Sequence, residues 1–84
     1  MPGQGTRWGV AIPVGDGVMR VQRYADREYA VAAAESSPRV LTRYTSPRTG
    51  AVQWSEVHPL VHSRDGCATW RYSATGWVVP TEAR

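Results

Sequence analysis

The sequence predicts a small α+β protein, an antiparallel sheet in ββαββ order with one helix packed on one face and a short C-terminal β-hairpin. Three observations point there. Turn-forming groups punctuate the chain at Asp16-Gly17, at Pro47 to Gly50 and at Asp65-Gly66. Between them, β-branched and aromatic residues fall in strand-length blocks. One alanine-rich block, Tyr29 to Glu35, has helical character instead.

The first hairpin joins Arg7–Val14 to Val18–Tyr24. A two-residue type I′ turn at Asp16-Gly17 sets Val14 opposite Met19, Ile12 opposite Val21 and Val10 opposite Arg23. That register gathers Val10, Ile12, Val14, Met19 and Val21 on one face, whereas a three-residue loop sets Ile12 against Arg20 and Val10 against Gln22. The two-residue turn is therefore expected. Pro13 lacks an amide donor, which suits an edge strand or a non-bonded position, and the first strand is expected at an edge.

Asp26 is placed to cap a helix, with Glu28 in its first turn and Ser36-Ser37-Pro38 ending it. Tyr29, Ala30, Ala33 and Ala34 share a face whose small residues let the helix lie close to a sheet. About three turns cannot hold alone, so packing must stabilise it. A second hairpin pairs Arg39–Thr45 with Ala51–Val57 around Ser46 to Gly50. One register sets Arg43 opposite Trp54 and a one-residue shift puts Tyr44 beside Val52; sequence leaves both open. Ala68–Tyr72 and Trp77–Pro80, around Ala74-Thr75-Gly76, form the terminal hairpin.

With 84 residues, 42% hydrophobic and 20% charged, the chain fits one globular domain, 1–84, whose ends at 1–5 and 81–84 are expected to fray. A domain of this size buries only about 60% of its unfolded surface. Its four Trp and four Tyr must therefore supply much of the core. No apolar run reaches the roughly 18 residues of a membrane span, and the N-terminus lacks a signal-peptide pattern, so no membrane partner is expected. The expected compartment is cytoplasmic, the host cytoplasm for a phage-encoded chain. A single cysteine, Cys67, precludes an intrachain disulfide.

All ten basic residues are arginine, and the net charge is +3. Such a bias reads first as a GC-rich genome. The pair Arg-Tyr recurs at Arg23-Tyr24, Arg43-Tyr44 and Arg71-Tyr72. Rings interleaved with guanidinium groups suit a single-stranded nucleic-acid platform, yet adjacent strand residues face opposite ways, and each pair then divides into one core ring and one solvated charge. His58, His62 and Cys67 are candidate metal ligands, but a structural zinc site needs four. Cys67 beside a histidine lacks the further groups that a nucleophile requires. Neither an enzyme nor a cofactor or small-molecule substrate is expected.

The strand-strand-helix-strand-strand layout of residues 6–57, with Trp8-Gly9-Val10, Gly17-Val18, Asp26-Arg27-Glu28 leading into Ala32-Ala33-Ala34, and Val40-Leu41-Thr42-Arg43, resembles the short uncharacterised proteins of GC-rich actinobacteria and their bacteriophages. The resemblance implies an accessory protein acting by binding a host or viral component. From the residues themselves, the tail is expected to hold more ring surface than one subunit can hide. The expected function is a small non-enzymatic protein-interaction module, binding a protein partner or itself, with Trp70, Arg71, Tyr72 and Trp77 as anchors. The alternative is a small basic nucleic-acid-binding protein in which Arg20, Arg23, Arg43 and Arg71 line one sheet face.

Overall fold

The computed structural model describes residues 5–82. Its elements run β1 (Arg7–Gly15), β2 (Val18–Tyr24), α1 (Arg27–Glu35), β3 (Val40–Thr45), β4 (Val52–Val57), β5 (Leu60–Ser63) and β6 (Arg71–Tyr72). The class is α+β: among the described residues, six strands form two antiparallel sheets beside one helix. The expected single ββαββ sheet is replaced by a four-stranded sheet, β2-β1-β5-β6, and a separate two-stranded ribbon, β3-β4.

The Asp16-Gly17 turn forms, with both residues at positive φ (56° and 78°) as a type I′ turn requires. Above it the expected register gives way. The pairs Gly15↔Val18 and Pro13↔Met19 leave Val14 bulged, and Ile12 meets Arg20 while Val10 meets Gln22. This is the pairing that the expected face argued against, reached through a bulge. The expectation failed because both faces of this sheet are covered, so β1 divides its apolar residues between them. Val10 packs with Ala30, Ala34 and Leu60 under the helix. Ala11 and Met19 face the main core, while Ile12 and Val14 remain partly in solvent.

Nor is β1 an edge. It lies between β2 and β5, pairing Arg7–Val10 with Ser63–Leu60. Pro13 sits past the end of β5 and opposite Met19, whose amide turns away to the Pro80 carbonyl at 2.7 Å. The missing proline donor therefore leaves no gap in the ladder.

Helix α1 begins as expected. Asp26 Oδ1 accepts the Tyr29 amide at 3.2 Å, and the Ser36 and Ser37 hydroxyls close the far end by donating to the Ala32 and Ala33 carbonyls. Ala30 and Ala34 are buried, with Val31 and Ala33 half-buried beside them, but Tyr29 is 64% exposed. Its position, about 100° round the helix from Ala30, turns it off the packed face.

The ribbon takes the Arg43↔Trp54 register, closed by a four-residue loop in which the Ser46 amide reaches the Ala51 carbonyl at 2.9 Å. Its inner residues Val40, Thr42 and Val57 lie over the sheet face opposite the helix, completing the main core with Ala11, Met19, Val61, Trp70, Tyr72 and Val79. In the tail, β6 is only two residues long and bridges Val78 through Arg71. The chain then crosses to β2, where Thr81 bridges Met19 in parallel. The tail thus straps one edge of the sheet to the other. Thr81, expected to fray, is pinned; residues 1–4, 83 and 84 lie outside the described residues.

Candidate functional site

The tail rings divide sharply. Trp70 is 7% exposed and Tyr72 0%, both inside the main core. Two of the four expected anchors therefore have no ring surface for a partner, because the ribbon and the tail's own strap cover them. Trp77 is half-buried and stacks on Tyr44, with centroids 4.7 Å apart and planes 20° from parallel. Arg71 is exposed, with one guanidinium nitrogen donating to the Gly76 carbonyl at 2.9 Å.

Between the ribbon and the strap runs a groove of about 880 Å³. Tyr44, Trp77, Pro47 and Pro80 contribute apolar surface, Arg43 and Arg71 contribute charge, and among the described residues no carboxylate lines it. A second recess, about 230 Å³, lies on the other side of Arg71 and is lined by His62, Arg64, Asp65 and Thr69. Asp65 Oδ1 accepts the Ser63 hydroxyl and the Thr69 amide, each at 2.8 Å. Those bonds, the Thr69 amide foremost, hold its carboxyl below the usual aspartate range. His62 shares a 2.8 Å hydrogen bond between Nδ1 and the Ser73 hydroxyl. Partial burial, then the charges of Arg64 and Arg71, push its imidazole below the ordinary value.

Comparison with known proteins finds no matching family model, no matching curated protein and no matching solved structure.

Of the four arginines proposed for one nucleic-acid face, the groove brings together two, Arg43 and Arg71. Arg20 and Arg23 stand three residues apart on β2 and so project from opposite faces. Arg23 points one guanidinium nitrogen at Cys67 Sγ, 3.6 Å away. The metal candidates also separate. His62 lies on the helix side of the sheet, with its ring 5.6 Å from Trp8, while Cys67 packs against the main core on the other side. His58 follows β4, half-buried. Among the described residues, no three His, Cys, Asp or Glu side chains gather as a metal site.

Sequence reasoning left out Trp54. In the observed register, Leu41↔Glu56, Arg43↔Trp54 and Thr45↔Val52 share the outer face of the ribbon. There Leu41 (53%), Trp54 (50%) and Val52 (56%) are exposed together. The tip of the first hairpin leans on this face: a Cβ placed on Gly17 would lie 2.9 Å from the Trp54 ring. The signal was alternation in a hairpin whose register sequence could not choose.

Proposed function

We propose that the protein is a small non-enzymatic interaction module that associates with a second copy of itself through the outer face of the β3-β4 ribbon. The observation that carries this is the grouping of Leu41, Val52 and Trp54, half in solvent, on one face of the ribbon. Contiguous apolar surface rimmed by polar residues is characteristic of association sites. A tryptophan at its centre supplies the usual anchor.

The same face supports a second copy as the occupant. It carries one cation, Arg43, and one anion, Glu56, flanking Trp54. A two-fold axis makes an interface from the same patch twice, so each copy offers the other the opposite charge as well as an apolar centre. Among the described residues β4 pairs only with β3, and its outer edge holds neither proline nor lysine to discourage approach. The patch is small beside the roughly 1,600 Å² of a standard interface, and association should be weak, with a dissociation constant in the micromolar range.

Analytical ultracentrifugation across protein concentration tests this. Wild type should pass from monomer to dimer, and Trp54→Arg or Leu41→Arg should remain monomeric with an unchanged circular dichroism spectrum. A wild-type chain that stays monomeric to about 1 mM, where even millimolar affinity would register, overturns the reading.

A further inference from the structure

The sheet carries a second surface, which meets the self-association face at Arg43. Trp8 is the Cα partner of Tyr24 on one side and of His62 on the other; His62 in turn partners Arg71, and Arg71 bridges Val78. Cross-strand partners point to the same face, so Tyr24, Trp8, His62 and Arg71 form one row across four strands, at strand spacings of about 4.8 Å. The helix packs against the Tyr24 and Trp8 end. Toward His62 and Arg71 the row opens to solvent.

Three rings, Tyr24, Trp8 and His62, lead along it to one cation, Arg71. Arg27 lies over the Trp8 ring, 5.4 Å from its centroid. Trp8 and His62 are tilted at 47° to each other, and the Ser73 hydroxyl fixes the imidazole. Arg71 closes the row and stands between the recess that holds Arg64 and the groove that holds Arg43 and the Tyr44–Trp77 stack. Among the described residues Asp65 is the one carboxylate lining either hollow, and two hydrogen bonds already occupy one of its oxygens.

We propose that this row and the two hollows beside Arg71 bind single-stranded nucleic acid, phosphates lying against Arg64 and Arg71 and bases against the rings of His62 and Trp77. The charge balance asks for a polyanion. Rings presented from a sheet face ask for bases free to leave a duplex, since stacked and paired bases offer no face to them. An acidic polypeptide would satisfy the guanidinium groups without using the rings, which makes it the principal competitor.

The full chain is titrated with a fluorescent twelve-nucleotide oligothymidylate, with the corresponding duplex and with an oligoglutamate peptide, at several salt concentrations. The expected order is single strand first, with affinity falling steeply as salt rises. Arg64→Ala and Arg71→Ala should each weaken binding about tenfold and reduce the salt slope by about one. Arg23→Ala, on the opposite face, should change little. If Arg71→Ala disturbs the turn that its side chain holds at Gly76, Arg64→Ala alone carries the test. In NMR titrations, binding should raise the His62 pKa, because a phosphate offsets the two guanidinium charges beside it. Several results overturn the proposal: no binding at low salt, equal or better binding of the duplex or oligoglutamate, or equal losses from Arg23→Ala and Arg64→Ala. Trp54→Ala, which removes the self-association anchor without adding charge, should leave oligothymidylate affinity within twofold, so the two readings fail separately.

Discussion

Among the described residues, two hydroxyls in the main core stand without hydrogen-bond partners, Thr42 Oγ1 and the Tyr72 phenol. Burial pushes the phenol pKa up, and the Thr42 hydroxyl offsets part of that rise, so the two groups influence each other without reaching hydrogen-bond geometry. An unsatisfied buried polar group costs about 1–3 kcal/mol, and replacing both members of such a pair with apolar isosteres removes the penalty. Thr42→Val with Tyr72→Phe should therefore raise stability by at least about 1 kcal/mol in urea denaturation; a loss of that size would show that the hydroxyls do bond. The same side chains set the pH response. His62, with its folded pKa lowered, contributes stability that is complete above about pH 6.5 and is lost as pH falls through the folded value. Asp65, also lowered, adds a loss further into acid, below its ordinary value of 3.8. Tyr72, raised, acts in the other direction, its contribution present below pH 10 and lost as pH climbs through the folded value. Thermal melts across pH should trace a plateau between neutrality and pH 10, and His62→Gln should flatten the shoulder near pH 6.

At the scale of elements, turns and caps were legible because their chemistry is local. Asp16-Gly17 supplies two positive-φ residues, Asp26 supplies a side-chain acceptor, and Gly50 closes the ribbon loop at φ 75°. What escaped depends on partners distant in sequence. The bulge at Val14 follows from covering both faces of β1, which no pattern within the hairpin reveals. β5, four residues holding His62 and Ser63 just after Pro59, reads as loop until β1 is there to pair with it. Of the site residues, Arg71 and Trp77 were found from composition, while burial of Trp70 and Tyr72 required knowledge of the strap. Gly17 joins the local and distant effects. An alanine there meets an unfavourable φ and a clash with Trp54, whereas Gly50→Ala meets a similar φ with open space around it. Both should lose more than about 1 kcal/mol, and Gly17→Ala should lose clearly more. Equal losses would mean that the hairpin tip does not rest on the ribbon.

The molecule as a whole depends on its strap. In a chain of 84 residues the expected stability is about 4–13 kcal/mol, so no single layer is dispensable. Residues 77–81 touch both edges of the four-stranded sheet: the Tyr72 amide donates to the Trp77 carbonyl, the Val79 amide to the Trp70 carbonyl and the Met19 amide to the Pro80 carbonyl. Val79 is buried in the main core, and Trp77 packs against it while stacking on Tyr44 of the ribbon. The strap therefore ties sheet, ribbon and terminal turn together, although it forms only isolated bridges itself. Burial of Val79 alone contributes about 1.5–3 kcal/mol, and loss of Trp77 removes at least a comparable amount together with the stack. Truncation after Gly76 should consequently take away most of the folding margin. Calorimetry should show no cooperative transition for that variant, and its near-ultraviolet dichroism should flatten as Trp70 loses its fixed surroundings. Val79→Ala should remain folded with a melting temperature several degrees lower, on the scale of roughly 4–8 °C per kcal/mol for domains of this size. A truncated chain that melts cooperatively near the full-length temperature would refute the strap, and would place the stability of the fold in the sheet and helix alone.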